Sequence, residues 1–563
     1  MVVNNRKKRI GDMLVDEGVI TEEQLKEALA NKGGRKMGEV LVDMGFTNET
    51  EIAGALARQL GLEFVSLNGV TIDEKVLKLV NVSLLRKHVM VPLGFEHGNI
   101  NEVRMAMEDP MDMQAIDDFT IVTNLQVSPV IATTHDIMVT LDRFFGNSEA
   151  MQAVQEYANE RKSRQQQKET TQDEEELTKS PIVLLVNQMI EQAARQRASD
   201  IHIEALENRV RVRYRIDGTL YEKTNYDIHL LPAIIARIKI MGDMDISEKR
   251  KPQDGRITLS VDHVEYDIRV SILPTVFGEK CVMRLAQKKA LTRDKKDLGF
   301  TEQELMIFDN MLKHPNGILL VTGPTGSGKS TTLYTALSEL NTEDVNIITV
   351  EDPVEANIDG INQVQVNARA DMTFASALRS ILRQDPDIIM IGEIRDEETA
   401  EIAVQASITG HLVVSTLHTN SSAGTITRML NMGVESYLLA DSMIGVIAQR
   451  LVRRLCPECK KPKIPTPEER KILEITEDDP VTIYEPCGCP KCADTGYKGR
   501  IGVYEMLEIT PDIKSMIAGA ASSEAIKESA MKNGMHTLSM RARRKVLDGT
   551  TSLSEMYRVS ADE

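Results

Sequence analysis

The chain has 563 residues, no tryptophan and few aromatic residues of any kind, which make up 4% of it. It also lacks any run of about 18 uncharged apolar residues, the length that a membrane-spanning helix needs. The most apolar stretch, residues 437–455, is interrupted by Asp441, Arg450, Arg453 and Arg454. No apolar run follows the basic residues at the N-terminus. We therefore expect no signal peptide, no transmembrane helix and a cytoplasmic location.

Basic residues are in deficit, with 67 Lys and Arg against 85 Asp and Glu and a net charge of −18. A balance of this sign does not suggest a protein that coats nucleic acid or binds membranes in general. Segments in which aromatic and basic residues alternate, as in many single-strand binders, are missing as well. We therefore expect no nucleic acid partner. A chain of this length predicts three or four domains.

Cysteine is scarce, with six residues, and four of them form two Cys-x-x-Cys pairs. The pairs are Cys456 with Cys459 and Cys489 with Cys492. In a reducing compartment such clustering indicates a metal rather than disulfides, and four thiolates at this spacing suit tetrahedral Zn2+. Cys487 is either a spare or a ligand in place of Cys489.

A glycine-rich segment is the strongest signal that the sequence does contain. It follows an apolar run at residues 318–321 and precedes residues 332–337, which can continue as a helix. Strand, glycine turn and helix are the context in which G-x-x-x-x-G-K-[ST] holds phosphate. Lys329 would reach the β and γ phosphates of ATP, and the Ser330 hydroxyl would bind Mg2+. The predicted ATP-binding residues are Gly323, Pro324, Thr325, Gly326, Ser327, Gly328, Lys329, Ser330 and Thr331.

Two later apolar strands end in acids. Residues 346–350 lead into an acidic segment that ends at Glu355, and residues 388–391 lead to Glu393. Carboxylates at the carboxyl ends of strands beside a phosphate loop lie where a base is needed. Glu393 would hold Mg2+ through a bound water.

A third apolar strand, residues 412–417, ends before His418. His418 could sense the γ phosphate, or it could be a structural histidine in a tight turn. Apolar strands separated by helical segments are typical of a parallel sheet with right-handed crossovers.

Residues 180–290 predict an α+β domain ahead of this core. Period-two strands and the turn Asp217-Gly218 indicate a hairpin. Arg213, Arg256 and Arg269 recur along these strands. They either form the solvated face of a sheet or reach phosphates across an interface, where arginine neutralises charge on the transferring phosphoryl group.

The N-terminus contains a repeat. The segment that begins at Arg9 recurs 27 residues later, beginning at Lys36. Each copy predicts a helix, a glycine turn and a second helix, and Thr21 with Gln24 predicts a capping box. Between this region and residue 180, the polar composition of residues 161–178 predicts a mobile linker.

Residues 382–396 resemble the signature of the secretion and pilus-assembly ATPase superfamily. Residues 351–355 resemble its acidic box and residues 409–419 its histidine box, and the resemblance extends over residues 180–560. It implies a RecA-like core in a homohexamer that hydrolyses ATP. It also implies that Glu355 is the base and Glu393 the Walker B acid. His411, His418 and the arginines Arg213, Arg256 and Arg269 would complete the catalytic set.

The zinc insert and the long N-terminal region resemble members that extend type IV pili more than members that retract them. The resemblance implies a motor that drives an inner-membrane platform protein and meets the membrane through such partners. The type II secretion ATPases share every motif and are the alternative. A nucleic-acid motor with a zinc module is the alternative of another class.

The N-terminal repeat is similar to the cyclic di-GMP-binding domains of some assembly ATPases. Lys36 stands where that pattern has a second arginine. Lysine can neither stack flat on a guanine base nor donate the paired hydrogen bonds of a guanidinium group. A domain that only docks is the other interpretation. The positions that match the ligand pattern are Arg9, Gly11, Gly18, Lys36, Gly38 and Gln59.

The expected architecture is a multidomain α/β chain in four parts. It comprises a mainly helical and α+β N-terminal domain (1–145), a linker (146–179), a PAS-like α+β domain (180–290), and a RecA-like ATPase domain (291–563) with a zinc insert at 456–492 and a helical C-terminal region.

Overall fold

The structure is a computed structural model, and it describes residues 9–32, 35–67, 70, 72–77, 79–96, 99–145, 181–262, 264–287, 294–476 and 479–561. The chain divides into two units, residues 1–286 and 287–563. The first unit holds both the N-terminal region and the α+β domain, which the sequence analysis treated separately. The expected linker at 146–179 lies outside the described residues. In the described ranges, no helix has the length and apolar character to cross a bilayer.

The first unit opens with the repeat as four helices: α1 (Ile10–Asp16), α2 (Glu22–Ala30), α3 (Met37–Asp43) and α4 (Glu49–Leu60). The predicted capping box of α2 is confirmed. The Thr21 N–H donates to Gln24 Oε1 at 2.8 Å, and the Gln24 N–H donates to Thr21 Oγ1 at 3.2 Å. In the second copy the cap is Asn48, whose side chain accepts from the Glu51 N–H at 3.0 Å.

Two glycines of the repeat are explained by helix packing. A Cβ on Gly11 would lie 2.5 Å from Leu25 Cδ1, and one on Gly38 would lie 2.8 Å from Ile52 Cγ2. The first helix of each copy therefore needs glycine to lie close to its partner helix.

A small sheet completes the N-terminal region. Strand β1 pairs antiparallel with β2, which pairs parallel with β3. The elements are α5 (Glu74–Leu77), α6 (Val82–Lys87), β1 (Met90–Glu96), β2 (Asn99–Met107), α7 (Met113–Thr123), β3 (Gln126–Ile131) and α8, which covers residues 134–145.

The α+β part of the first unit is a six-stranded sheet in the order β6-β5-β4-β9-β8-β7. Its apolar face is buried with two helices in one core. Asp217 and Gly218 have φ values of 48° and 88° and form the predicted hairpin turn. The elements are α9 (Pro181–Arg195), β4 (Ala198–Ala205), β5 (Arg209–Ile216), β6 (Thr219–Asp227), α10 (Leu231–Met241), β7 (Gln253–Val261), β8 (Val264–Thr275) and β9 (Gly278–Gln287).

A charged cluster joins the two parts of the first unit. Arg195, at the end of α9, donates to Asp262 through Nε at 3.0 Å and Nη2 at 3.1 Å, and to Asp142 of α8 at 3.0 Å. Arg86 donates to the other oxygen of Asp142 at 2.7 Å, and His135 Nδ1 lies 3.8 Å from Asp262. Burial alone would raise the pKa of Asp262, but hydrogen bonds and charges from His135 and Arg195 lower it to about 2.

The second unit is built on a seven-stranded sheet in the order β12-β11-β13-β14-β10-β15-β18. The neighbours from β12 to β15 are parallel, which confirms the predicted parallel sheet. Antiparallel β18 at the edge was not predicted. The elements are α11 (Glu302–Leu312), β10 (Gly317–Thr322), α12 (Lys329–Leu340), β11 (Ile347–Glu351), β12 (Asn362–Gln365), α13 (Phe374–Ile381), β13 (Ile388–Ile391), α14 (Glu397–Ile408), β14 (Leu412–Leu417), α15 (Ser422–Asn431), α16 (Ser436–Ser442) and β15 (Met443–Leu455).

The cysteine insert and the C-terminal helices follow β15. Four helices at the end of the chain pack on the sheet and on each other, which agrees with the expected helical tail. The elements are β16 (Lys461–Lys463), α17 (Pro467–Leu473), β17 (Ile483–Glu485), β18 (Tyr497–Glu508), α18 (Pro511–Ala518), α19 (Ser523–Lys532), α20 (Leu538–Leu547) and α21 (Leu553–Ser560).

The charged cluster predicts a pH-dependent stability. Asp262→Asn should lower the free energy of unfolding by about 3 kcal/mol at pH 7, because Arg195 stays buried and loses a charged partner. The pKa of Asp262 falls from 3.8 unfolded to about 2 folded. Its contribution is therefore complete above about pH 4 and is lost as the pH falls towards 2. Urea denaturation of the full chain at pH 7 and pH 3 should show the difference between wild type and variant shrinking at pH 3.

Asp243→Asn is the matched control, because Asp243 is exposed and its φ of 54° suits asparagine. A loss in Asp243→Asn equal to that in Asp262→Asn would contradict this account of the cluster.

Candidate active site and metal centre

The phosphate loop lies between the end of β10 and the start of α12. Gly323 and Gly328 have φ values of 148° and 90°. A Cβ on Gly323 would lie 2.4 Å from the Gln449 carbonyl oxygen, and one on Gly328 would lie 2.8 Å from Gln449 Nε2. Strand β15 therefore packs closely against the loop and restricts its conformation. A side chain at either glycine would disturb that contact.

Lys329 points back into the loop. Its Nζ donates to the carbonyl oxygens of Gly323 at 2.7 Å and Pro324 at 3.1 Å. The pKa of Lys329 is lowered to about 8: burial is the main cause, the charge of Glu393 opposes the shift, and the charge of Arg450 adds to it. Phosphate oxygens beside this nitrogen would favour its protonated form.

Glu393 and His418 meet at the phosphate loop, although they follow different strands. Glu393 comes two residues after the end of β13, is largely buried and forms an ion pair with Arg395, and its Oε2 lies 3.3 Å from His418 Nε2. His418 Nδ1 lies 3.4 Å from Lys329 Nζ. Three of the predicted catalytic residues are thus neighbours. Ser330 is exposed on the first turn of α12.

Glu355 lies on the loop after β11, and its side chain is exposed. Its backbone N–H donates to the Tyr334 hydroxyl at 3.1 Å. Glu351, the first acid of the same segment, is 3% exposed and accepts hydrogen bonds from Thr349 and Gln363 at 2.6 and 3.1 Å. Of the two glutamates, only Glu355 has a carboxylate that water can reach.

His411 lies away from Lys329 and His418 within the second unit, and its expected place in the catalytic set stays a prediction. It precedes β14, whereas His418 follows it, so the two histidines lie at opposite ends of one strand. Its Nδ1 contacts the Ala406 carbonyl oxygen at 2.9 Å, which holds the turn after α14.

The three arginines lie in the first unit and have partners there. Arg213 donates to Glu204 at 2.6 Å, and Arg256 Nη2 donates to Asp267 at 2.8 Å. Arg256 and Arg269 face each other across β7 and β8. Their expected role at the phosphates stays a prediction.

Two residues at the loop were missed by the sequence analysis. Gln449 of β15 accepts a hydrogen bond from Thr332 Oγ1 at 2.8 Å. Arg450 is 5% exposed and donates to the Asn420 carbonyl oxygen at 3.3 Å and to Asn420 Oδ1 at 3.2 Å. The sequence does contain a signal, because these two polar residues interrupt the apolar stretch 437–455. That interruption was used only to argue against a membrane-spanning helix.

The four paired cysteines converge on one point. The Sγ–Sγ distances are 3.8 Å for Cys456–Cys489, 3.8 Å for Cys459–Cys492 and 3.7 Å for Cys489–Cys492. A tetrahedron of sulfurs about 2.3 Å from a zinc ion has edges of about 3.8 Å. The side chains therefore fit a structural Zn2+. Cys487 is exposed and lies outside the cluster.

At the N-terminus, Arg9 and Lys36 hold equivalent positions. Each is the exposed residue directly before the first helix of its copy. Lys36 Nζ pairs with Asp109 at 3.1 Å beside a cavity of about 240 Å3 that Gly38 also lines. Gly18 forms a turn with a φ of 72°. The exposed pair of Lys36 with Asp109 is weak and can open at little cost.

The loop, the carboxylate after β13 and the parallel sheet define a phosphate-loop nucleoside triphosphatase. The family described as Type II/IV secretion system protein matches residues 175–558. The chain belongs to this family of ATPases. The MshEN domain matches residues 60–151, so most of the helical repeat precedes that match.

Individual relatives agree. The Type IV pilus assembly ATPase PilB of Myxococcus xanthus is 43% identical over 559 residues, which is 97% of this chain and 98% of the relative. Type II secretion system protein E of Pseudomonas aeruginosa is 50% identical over 384 residues, 68% of this chain and 76% of the relative. The crystal structure of the Legionella pneumophila ATPase DotB has a TM-score of 0.50 and 22% identity, covering 68% of this chain and 96% of that one, and shows the shared fold.

The cysteine cluster predicts about one zinc ion per chain. Elemental analysis of the full chain, purified with a reductant, should find that ion, and Cys459→Ser and Cys492→Ser should lose most of it. Cys487→Ser is the matched control and should keep it, because Cys487 is outside the cluster. Loss of zinc in Cys487→Ser but not in Cys459→Ser would refute the assignment.

Proposed function

We propose that the chain is a cytoplasmic, homohexameric motor that hydrolyses ATP to power extension of a type IV pilus. The observation that carries the proposal is the meeting of Lys329, Glu393 and His418 at the curled loop. A lysine that holds the phosphates and an acid that holds Mg2+ are two recurring parts of sites that transfer a phosphoryl group.

Each side chain would have a distinct role. Lys329 would hold the β and γ phosphates, and Ser330 and Glu393 would hold Mg2+, which neutralises charge on the phosphates when bound. His418, which contacts both Lys329 and Glu393, would report the state of the γ phosphate to β14.

Glu355 would act as the base that takes the proton from the attacking water. Its carboxylate is exposed, and its backbone N–H donates to the hydroxyl of the buried Tyr334; both observations support this role. Arg213, Arg256 and Arg269 would supply positive charge to the phosphates from the same or a neighbouring subunit of the hexamer, as arginines do in other triphosphatases.

Pilus extension is favoured by the relative from Myxococcus xanthus, whose similarity covers almost the whole of both chains. Type II secretion is the second candidate, because a relative of that class has the higher identity in the core. In either machine, movement would be passed to an inner-membrane platform protein. Loss of pili, with secretion intact, in a deletion strain separates the two.

A nucleic-acid motor is not favoured. The acidic balance argues against it, and the relatives are secretion and pilus ATPases. Such a motor would show ATP hydrolysis that DNA stimulates and salt suppresses steeply.

Glu355→Gln should lower kcat for ATP hydrolysis by about a hundredfold to ten-thousandfold, the usual worth of a general base, with nucleotide binding kept. Lys329→Ala should lose both binding and turnover, because the phosphates lose their cation. Steady-state phosphate release and binding of a fluorescent ATP analogue measure the two effects.

Glu343→Gln is the matched control, since Glu343 is an exposed glutamate on the loop before β11. Wild-type turnover in Glu355→Gln or in Lys329→Ala would rule out the proposed chemistry.

We also propose that the N-terminal repeat binds cyclic di-GMP. The equivalent placing of Arg9 and Lys36 before matched helices supports two related contacts with a symmetric ligand. Gly11, Gly18, Gly38 and Gln59 would shape the surface between them. Packing alone accounts for Gly11 and Gly38, so the charged pair is the informative part.

Calorimetry with the full chain should show that Lys36→Arg binds cyclic di-GMP more tightly, by about tenfold, because arginine stacks on guanine and donates in a fork. Arg9→Ala should weaken binding, and Lys26→Ala, an exposed lysine of α2, should not change it. No heat from wild type and from Lys36→Arg at high ligand concentration would leave the docking role as the explanation.

A further inference from the structure

A buried tyrosine connects the phosphate loop to the acidic segment. Tyr334 lies on α12, the helix that begins at Lys329, and its side chain is 0% exposed. Its hydroxyl donates to Glu351 Oε2 and accepts from the backbone N–H groups of Glu355 at 3.1 Å and Ala356 at 3.5 Å. One hydroxyl group thus touches both the buried acid of β11 and the backbone of the proposed base.

The opposite side of the same segment is held by the edge strand. Gln363 of β12 donates from Nε2 to Glu351 Oε1 at 3.1 Å and to the Ala356 carbonyl oxygen at 3.0 Å. Its Oε1 accepts from the Ile358 N–H at 2.8 Å. Glu351 therefore ties Tyr334 to Gln363, and the segment between is clamped from two elements.

The arrangement has a directional consequence. Lys329, which would hold the phosphates, and Tyr334, whose hydroxyl accepts from the Glu355 N–H, belong to one continuous helix. A rigid helix keeps the distance between its own residues fixed. The helix therefore sets the position of the Glu355 backbone relative to the phosphates. Buried hydrogen-bond networks of this kind specify one geometry because any broken member is costly.

We propose that Tyr334 is a positioning residue for hydrolysis: it acts through Glu351 and the Glu355 backbone to set the proposed base against the nucleotide. The proposal rests on the proposed function, in which Glu355 is the base. Tyr334 itself does not contact the reacting atoms. A base displaced by about 1 Å loses up to about a hundredfold in rate, while the nucleotide still binds.

Tyr334→Phe in the full chain is the direct test, because phenylalanine keeps the ring and removes only the hydroxyl. We expect kcat for ATP to fall by about tenfold to a hundredfold and KM to stay within about twofold, the pattern of a contact that matters in the transition state alone. An unchanged kcat in a folded Tyr334→Phe protein would overturn the proposal.

Tyr504→Phe is the matched control. Tyr504 is also buried, and its hydroxyl donates to the Leu298 carbonyl oxygen at 2.9 Å, a contact outside the acidic segment. It should lose stability without losing kcat. If Tyr334→Phe and Tyr504→Phe lowered kcat equally, the effect would be structural and the proposal would fail.

The double variant separates this proposal from the proposed function. If Tyr334 acts through Glu355, Tyr334→Phe added to Glu355→Gln should lower kcat no further. Multiplying effects would overturn the positioning role. Wild-type turnover in Glu355→Gln alone would contradict both the role of Glu355 as the base and the positioning role of Tyr334. An inactive Glu355→Gln protein together with a fully active Tyr334→Phe protein would contradict only the positioning role of Tyr334.

Gln363→Met provides a second variant that leaves α12 untouched, should Tyr334→Phe not fold. It removes the clamp from the half-buried edge strand. We expect the same fall in kcat with KM kept, and an unchanged kcat would count against the network.

Discussion

A buried ammonium group is the constraint on which the second unit depends. Lys329 sits inside the loop with its nitrogen against backbone carbonyl oxygens, and burial lowers its pKa to about 8. Desolvating a cation is costly unless dipoles and an opposite charge are already in place. The glycines that let the carbonyls face inward and the strand that brings Glu393 near are therefore parts of one electrostatic arrangement.

Much of the fold could be predicted from local sequence patterns. The capping box at Thr21, the hairpin turn at Asp217 and the parallel sheet could be predicted, because each depends on residues close in sequence or on a period that the sequence displays. The cap at Asn48 was not predicted, although Asn48 and Glu51 stand where the first copy has Thr21 and Gln24. Antiparallel β18 was also missed, because the cysteine insert separates it in sequence from its partner β15 and no sequence pattern indicates the pairing.

The site residues could be predicted where a chemically suitable side chain follows the carboxyl end of an apolar strand. Lys329 and Glu393 each follow an apolar strand at its carboxyl end, and parallel strands bring such ends together. His411 and His418 looked alike in sequence because both flank one strand, but a strand of six residues separates its two ends by about 20 Å. Gln449 and Tyr334 escaped notice because their importance comes from contacts between elements that only the folded chain brings together.

Strand β15 has a mechanical consequence. It is 13 residues long, meets the phosphate loop at Gln449, and ends at Leu455, next to Cys456 of the cysteine cluster. From Gln449 to Cys456 is about 23 Å of extended chain. The strand pairs with β18 along this length, with a register shift between Arg453 and Leu455, and the Arg453 guanidinium is stacked 3.9 Å from the Tyr497 ring centroid. The phosphate loop and the cysteine cluster are therefore connected by one hydrogen-bonded strand, which gives the two sites a shared structural support.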